Sequence, residues 1–156
     1  MMQKTLRDRI ADLVRAGLED VQKAGDLPDF EIPDILVTAS RHAAHGDYGC
    51  PVCMGLARVL RRAPLQIAQA VQPHIVANAA KLDADFIGEI EIAPPGYINF
   101  TLDEAWLAHQ VPVILDAGEQ WGNLVIGEGQ RVQVEFVSAN PTGPITIGSA
   151  RNAVIG

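Results

Sequence analysis

Polar residues near the carboxyl end of the chain follow a short apolar run and could bind a small molecule. Residues 132–137 are predicted to form a β-strand that leads into a Gly/Pro-rich loop and then a helix. Ligands of open α/β sheets bind beyond the carboxyl ends of the strands, where this loop would lie. Glu135 offers a negative charge there, while Ser138 and Asn140 offer hydrogen-bonding groups.

The start of the following helix, near Gly148, carries a second set of candidate groups. Gly148 permits close approach of a ligand to the backbone, and the N–H groups of a helix N-terminus attract phosphate. Thr146 and Ser149 add hydroxyl groups, which donate hydrogen bonds but carry no positive charge. Arg151 is a further phosphate candidate or, equally well, a solvated helix residue. Strand, loop and helix in this order indicate the start of a nucleotide-binding α/β domain.

Residues 134–156 read VEFVSANPTGPITIGSARNAVIG, which resembles the signature that opens the catalytic domain of arginyl-tRNA synthetases. In that family a strand ends in Glu-Phe-x-Ser-x-Asn-Pro, and Thr-Gly-Pro and the class I His-x-Gly-His signature follow. The resemblance implies that Ser138 and Asn140 contact arginine directly and that Glu135 acts on it electrostatically. The alternative is that Glu135 is an outward strand residue and that the other two are ordinary loop formers.

The same resemblance assigns the nucleotide half of the site. Thr146, Gly148 and Ser149 occupy the catalytic class I motif, with Thr146 and Ser149 in place of histidines. ATP binding is implied for Gly143, Thr146, Gly148 and Ser149. Loss of a preorganised transition-state donor costs about 3 kcal/mol in other enzymes. The hydroxyls therefore partly substitute, or the complete enzyme is slow, or this copy has lost activation.

The rest of the chain predicts a small α+β domain. Its predicted elements are helix 3–25, strand 35–37, loop or edge hairpin 42–49, helices 52–62 and 65–80, strands 86–93 and 97–102, and helix 103–117. This order resembles the additional N-terminal domain of the same family, in which helices pack on a small antiparallel sheet (α-β-β-α-α-β-β). The first strand and loop of a Rossmann-like α/β catalytic domain are expected to follow.

We expect three regions: an N-terminal additional domain over 1–117, a linker over 118–130 and the truncated start of the catalytic domain over 131–156. The apolar strand in the third region would normally be buried inside a parallel sheet. Without partner strands it is expected to pack on the first domain, to pair with another copy or to expose an edge that promotes association.

By resemblance, the first domain contacts the D-loop at the tRNA elbow. Tyr97 is expected to stack on an unstacked base and Asn99 to bind a base edge, as proteins commonly recognise RNA loops. Tyr97 could instead be a half-buried strand aromatic, and Asn99 a polar residue on an open sheet face. Residues 46–48, Gly-Asp-Tyr, are interpreted as a structural turn.

Composition narrows the function classes. A net charge of −7 argues against a general nucleic-acid binder, so any RNA contact must be local or rely on other residues. The sequence has no apolar run of the ~20 residues needed to cross a bilayer, and a charged N-terminus predicts a cytoplasmic protein. Cys50 and Cys53 have C-x-x-C spacing, but a zinc site needs more ligands, so we predict no metal site. A cluster with His42 and His45 is conceivable and disfavoured.

The resemblance implies the N-terminal part of an ATP-dependent, AMP-forming arginine–tRNA ligase. Its partners would be tRNA(Arg), arginine and ATP, with Mg²⁺ accompanying ATP and no tightly bound cofactor. We expect the complete enzyme to be monomeric, and this chain to be inactive alone and able to self-associate. Two alternatives are a stand-alone RNA-binding module without catalysis and a structural or redox domain built on the cysteine pair.

Overall fold

The computed structural model describes residues 4–82, 84–123, 127, 129–140 and 142–155. It divides into two compact units, one ending at Asn123 and the other formed by the described residues after it. The first unit contains α1 (Leu6–Ala24), β1 (Thr38–Ala39), β2 (Tyr48–Cys50), α2 (Val52–Leu60), α3 (Pro64–Lys81), β3 (Ile87–Ala93), β4 (Tyr97–Leu102) and α4 (Glu104–Ala117). The second contains α5 (Ile147–Ile155). Pro141 of the predicted loop and Gly156 lie outside the described residues.

Helix α1 is fixed at both ends by its own sequence. Thr5 accepts a hydrogen bond from the Asp8 backbone N–H, and the Asp8 carboxylate accepts one from the Thr5 N–H in return, which forms a capping box. Gly25 ends the helix in the left-handed conformation at φ 79°. Its buried stripe is Ile10, Leu13, Val14, Gly17, Leu18 and Val21. A Cβ on Gly17 would lie 2.5 Å from the Ile75 side chain, so glycine lets α1 approach α3 closely.

Helix α3 begins with Pro64, whose fixed φ suits a first helical turn. The helix continues through Pro73, so the predicted helix is present and the proline does not end it. Among the helices in the described part of the chain, none is long and apolar enough to cross a membrane.

The four strands form one antiparallel sheet in the order β1-β2-β4-β3. Ile98 and Phe100 of β4 are fully buried and lie in the same hydrophobic core as α1 and α3. The helices of that core therefore cover one sheet face. The predicted order α-β-β-α-α-β-β and the small antiparallel sheet are confirmed.

Two strand predictions are wrong. The expected strand at 35–37 is displaced to Thr38–Ala39, because only these residues find partners, in Gly49 and Tyr48. Residues 132–137 form no strand, and most of them are exposed. A strand needs neighbours for its hydrogen bonds, and the described residues of the second unit include no strand that could supply them. The Rossmann-like beginning is thus not shown as a formed sheet by the residues that the structure describes.

The turn that leads into β2 requires its glycine. Gly46 has φ 68° and ψ −162°, which only glycine adopts readily. A Cβ there would lie 2.7 Å from the Phe100 carbonyl oxygen. Asp47 completes the turn, since its N–H donates to the Phe100 oxygen at 2.8 Å and its carboxylate accepts from the Leu102 N–H at 2.7 Å. The interpretation of 46–48 as a structural turn therefore holds for Gly46 and Asp47, whereas Tyr48 already belongs to β2.

We predict that Gly46→Ala lowers the free energy of unfolding by about 2 kcal/mol, because of backbone strain and the clash with β4. Gly55→Ala is the matched control: its added methyl group, on a helix, meets nothing within 4 Å. That control should be neutral or raise the free energy by up to about 1 kcal/mol. Urea unfolding followed by circular dichroism measures both, and equal stabilities for the two variants would contradict the role of Gly46.

Candidate nucleic-acid interface

Strand β4 presents alternate side chains to the two faces of the sheet. Ile98 and Phe100 point into the core, so Tyr97, Asn99 and Thr101 belong to the opposite face. On that face Asn99 stands directly between Gly49 of β2 and Glu91 of β3. The two residues that sequence reasoning selected for RNA contact therefore lie on one strand and on the face that the helices leave open.

A cleft of about 320 Å³ opens over this face. Its lining residues come from β1, from β2 and the segment that precedes it, and from the β3–β4 hairpin; they are Thr38, Ala39, Ser40, Arg41, His45, Gly49, Ala93, Pro94, Tyr97 and Asn99. Among the described residues, this lining includes one cationic side chain and no carboxylate. The cleft thus differs in charge from the chain as a whole, whose net charge is −7.

Asn99 is the most informative residue of the cleft. Only 6% of its surface is exposed, yet its side-chain amide makes no hydrogen bond to any other described residue. If this amide lost contact with water as well, the folded state would be destabilised by about 1–3 kcal/mol. Its polar atoms keep access to solvent, because no buried side-chain N or O among the described residues is left without a partner. Asn99 is therefore placed to exchange water for a ligand.

Tyr97 lies at the mouth of the same cleft. It is 38% exposed, and it precedes Asn99 by two residues on β4, so both side chains share a face. An accessible aromatic ring beside an unpaired amide can bind a flat, polar group such as a nucleobase, by stacking on one and hydrogen bonding to the other.

Sequence reasoning missed the side of the cleft that Arg41 and His45 form. The Ser40 N–H donates to the Asp47 carbonyl at 2.8 Å, and the Ser40 hydroxyl donates to the His45 carbonyl at 3.1 Å. These bonds fold the segment back on itself and bring both Arg41 and His45 to the cleft. The polar, glycine-containing composition of 42–49 was the available signal, but it predicts only a loop.

The predicted arginine and ATP residues lie in the second unit. Glu135, Ser138, Asn140, Gly143 and Gly148 are exposed, and no hydrogen bond among the described residues joins the first three.

Thr146 and Ser149 do meet at the start of α5. Their hydroxyl oxygens lie 3.0 Å apart, and the Thr146 hydroxyl accepts from the Ser149 N–H at 3.2 Å. Thr146 therefore acts as a helix cap in this structure.

The cysteine pair is inaccessible. Cys50 and Cys53 are fully buried free thiols in the core. Burial raises the pKa of Cys50 to about 11 and that of Cys53 to about 12, because a thiolate loses its hydration there. In the described ranges, no group of three or more His, Cys, Asp or Glu side chains is arranged to hold a metal ion. The pair is best explained as core packing.

Comparison with known proteins identifies relatives among the arginine–tRNA ligases. The family described as "Arginyl tRNA synthetase N terminal domain" matches residues 2–102. The arginine–tRNA ligase of Listeria welshimeri is 46% identical over 136 residues, which is 87% of this chain and 24% of the relative. Those of Listeria monocytogenes and Geobacter metallireducens are 44% and 42% identical over 100% and 97% of this chain. The chain spans about a quarter of the length of these curated relatives.

A solved structure has a similar fold. The arginyl-tRNA synthetase of Plasmodium falciparum aligns with a TM-score of 0.53 and 15% identity, over 71% of this chain and 18% of that one. At this identity the likeness concerns the fold alone.

Both thiols are expected to resist alkylation at pH 8, because their pKa values of about 11 and about 12 leave almost no thiolate and the core excludes the reagent. In denaturant both thiols should react at the rate of an exposed cysteine. Iodoacetamide labelling followed by intact mass measures this. Rapid labelling of either cysteine in the folded protein would revive the redox alternative.

Proposed function

Since the chain belongs to the arginyl-tRNA synthetase family, we propose that it is the N-terminal part of an enzyme that activates arginine with ATP and transfers it to the 3′ end of tRNA(Arg). Within that enzyme, the first unit contacts the tRNA elbow. The cleft over the open sheet face takes one unstacked D-loop base, with Tyr97 stacking on it and Asn99 binding its edge.

One observation carries the RNA contact: Asn99 is 94% buried beside the cleft, while its amide has no partner among the described residues. The amide atoms keep access to solvent at the cleft, so a ligand can replace the water that hydrates them. A base edge offers both donors and acceptors, so it can satisfy the amide oxygen and nitrogen together.

Charge on the sheet face supports the same proposal. Arg41 borders the cleft, and exposed Glu89 and Glu91 stand on the neighbouring strand β3. A phosphate backbone is attracted towards Arg41 and repelled from the carboxylates. Stacking contributes about 1–3 kcal/mol per base without a basic surface. RNA contact at this face is therefore compatible with a net charge of −7.

The second unit would contribute to the arginine and ATP site. Glu135, Ser138 and Asn140 are the proposed arginine contacts, and the proposed ATP contacts are Gly143, Thr146, Gly148 and Ser149. Support comes from family membership and from the start of α5 at Ile147, because the positive end of a helix dipole attracts phosphate. In the complete enzyme, a parallel sheet would supply the neighbours that residues 132–137 lack here. Mg²⁺ would accompany ATP.

The remaining parts of the proposal follow from the family. Residues 1–117 would form the additional domain, 118–130 the linker and 131–156 the start of the catalytic domain. The complete enzyme would act in the cytoplasm as a monomer, and this chain could self-associate through its exposed apolar segment, which includes Val132 and Val134.

A second candidate is an RNA-binding module without catalysis. It is favoured by the location of the cleft, all of whose lining residues belong to the first unit. RNA binding could then proceed without a catalytic domain.

We predict that Tyr97→Ala and Asn99→Ala each weaken binding of a tRNA(Arg) transcript by about tenfold or more, because each removes one contact to the base. Fluorescence anisotropy at fixed salt gives the dissociation constants. Tyr97→Phe keeps the ring and should bind like wild type. Unchanged affinity in both alanine variants would contradict the RNA-binding proposal.

Arg41→Gln is expected to weaken binding several-fold and to reduce its salt dependence, because one phosphate contact is lost. Arg58→Gln is the charge-matched control, since Arg58 is exposed on α2 and does not border the cleft. Titrations at two or more salt concentrations measure the loss of affinity and the change in salt dependence separately. Equal losses in both variants would indicate net charge rather than a specific contact.

The chain alone should not catalyse tRNA-dependent exchange of pyrophosphate into ATP with arginine, since it spans only about a quarter of its curated relatives. A radiolabelled exchange assay with arginine, ATP, Mg²⁺ and tRNA tests this. Exchange above background would show that this chain suffices for activation and would exclude the module without catalysis.

A further inference from the structure

We propose that Gly49 determines which group the cleft admits, because the missing side chain leaves the space through which a base reaches Asn99. This inference rests on the proposed RNA-binding function and adds a specificity-determining residue to it. Gly49 is buried on β2, directly opposite Asn99 in the register, and borders the cleft.

Backbone conformation does not explain this glycine. Gly46 and Gly96 have φ of 68° and 154°, so each occupies a region that favours glycine. Gly49 is not among the residues with positive φ, and it pairs regularly with Thr38 on one side and Asn99 on the other. A glycine inside a strand weakens it, and such a position often marks the close approach of a ligand.

Chain packing does not explain it either. A Cβ added to Gly49 would lie 3.4 Å from the Asn99 Oδ1 and 3.8 Å from the Tyr97 Cδ1, which are ordinary contact distances. The same test at Gly46 and Gly96 gives 2.7 Å to the Phe100 carbonyl oxygen and 2.6 Å to the Pro64 Cβ. The protein therefore has room for a methyl group at 49, and the two nearest atoms belong to the proposed base-binding residues.

The closeness of position 49 to Tyr97 and Asn99 determines which ligand fits the cleft. A base lying against Tyr97 with its edge at Asn99 would pass over the bare backbone of Gly49. A branched side chain at 49 would project between the stacking ring and the amide and occupy the place of the base. The proposed ligand is thus one unstacked nucleobase whose flanking phosphate lies on the side of Arg41.

The test combines the Gly49→Val variant with RNA that lacks a single base. Dissociation constants are measured by anisotropy for a tRNA(Arg) transcript and for a series of transcripts with one abasic site at each D-loop position in turn. Valine suits a strand, so the variant should fold, and its thermal midpoint is checked by circular dichroism. Gly55→Ala, outside the cleft, is the control for an added side chain.

We expect Gly49→Val to weaken binding of the intact transcript by at least about tenfold, comparable with the loss of one stacked base. One abasic transcript should bind wild type and Gly49→Val equally weakly, because the base that the valine excludes is already absent. Gly55→Ala should match wild type on every transcript.

Two results would overturn the inference while leaving the RNA-binding proposal intact. In the first, Gly49→Val binds the intact transcript like wild type while Tyr97→Ala and Asn99→Ala still lose affinity. In the second, Gly49→Val loses the same factor on every abasic transcript, which indicates a general disturbance of the interface. If no abasic site and no cleft variant changes affinity, the RNA-binding proposal fails and this inference with it.

Discussion

The architecture of the first unit depends on the pairing of β4, which lies between β2 and β3 in the sheet. Its register fixes Ile98 and Phe100 in the core, where both are fully buried, and directs Tyr97 and Asn99 to the other face. A slip of one residue would reverse every side chain and expose the two core residues to water. Burial of these apolar side chains, worth about 1.5–3 kcal/mol each, therefore also positions the proposed RNA contacts.

The proposed RNA contact is compatible with an acidic chain, because it relies on shape and hydrogen bonding more than on charge. The cleft concentrates an aromatic ring, an unpartnered amide and Arg41, while Glu89 and Glu91 stand outside its lining. General attraction to phosphate would require a basic surface, and the chain carries 12 basic against 19 acidic residues. Such a contact favours one exposed base over duplex RNA, since a paired base cannot offer its face to Tyr97.

Elements with strong local signals could be predicted from the sequence, and those that depend on partners could not. The stripe of α1 and the alternation in β3 and β4 are properties of the segments themselves, and the structure confirms these elements. By contrast, β1 is displaced to Thr38–Ala39 because strand position is decided by where β2 lies. Residues 132–137 have the composition of a buried strand, but composition does not provide neighbouring strands.

The residues of the candidate site also divide into those that the sequence identified and those that depend on the fold. Tyr97 and Asn99 were identified by resemblance and lie on one cleft, and their role in RNA binding stays a prediction. Arg41, His45 and Gly49 were missed. Arg41 and His45 reach the cleft through the fold of the segment between β1 and β2, and Gly49 reaches it because β2 pairs with β4. The roles of Glu135, Ser138 and Asn140 also remain predictions, since they depend on a sheet that is not formed in the described part of the second unit.

The most direct measurement of the central claim is the NMR signal of the Asn99 side-chain amide while unlabelled tRNA(Arg) is added to the labelled chain. The account predicts that both amide protons shift in proportion to bound fraction and show intermolecular contacts to a base, together with the Tyr97 ring. Saturation of binding with the Asn99 amide and the Tyr97 ring unmoved would contradict it.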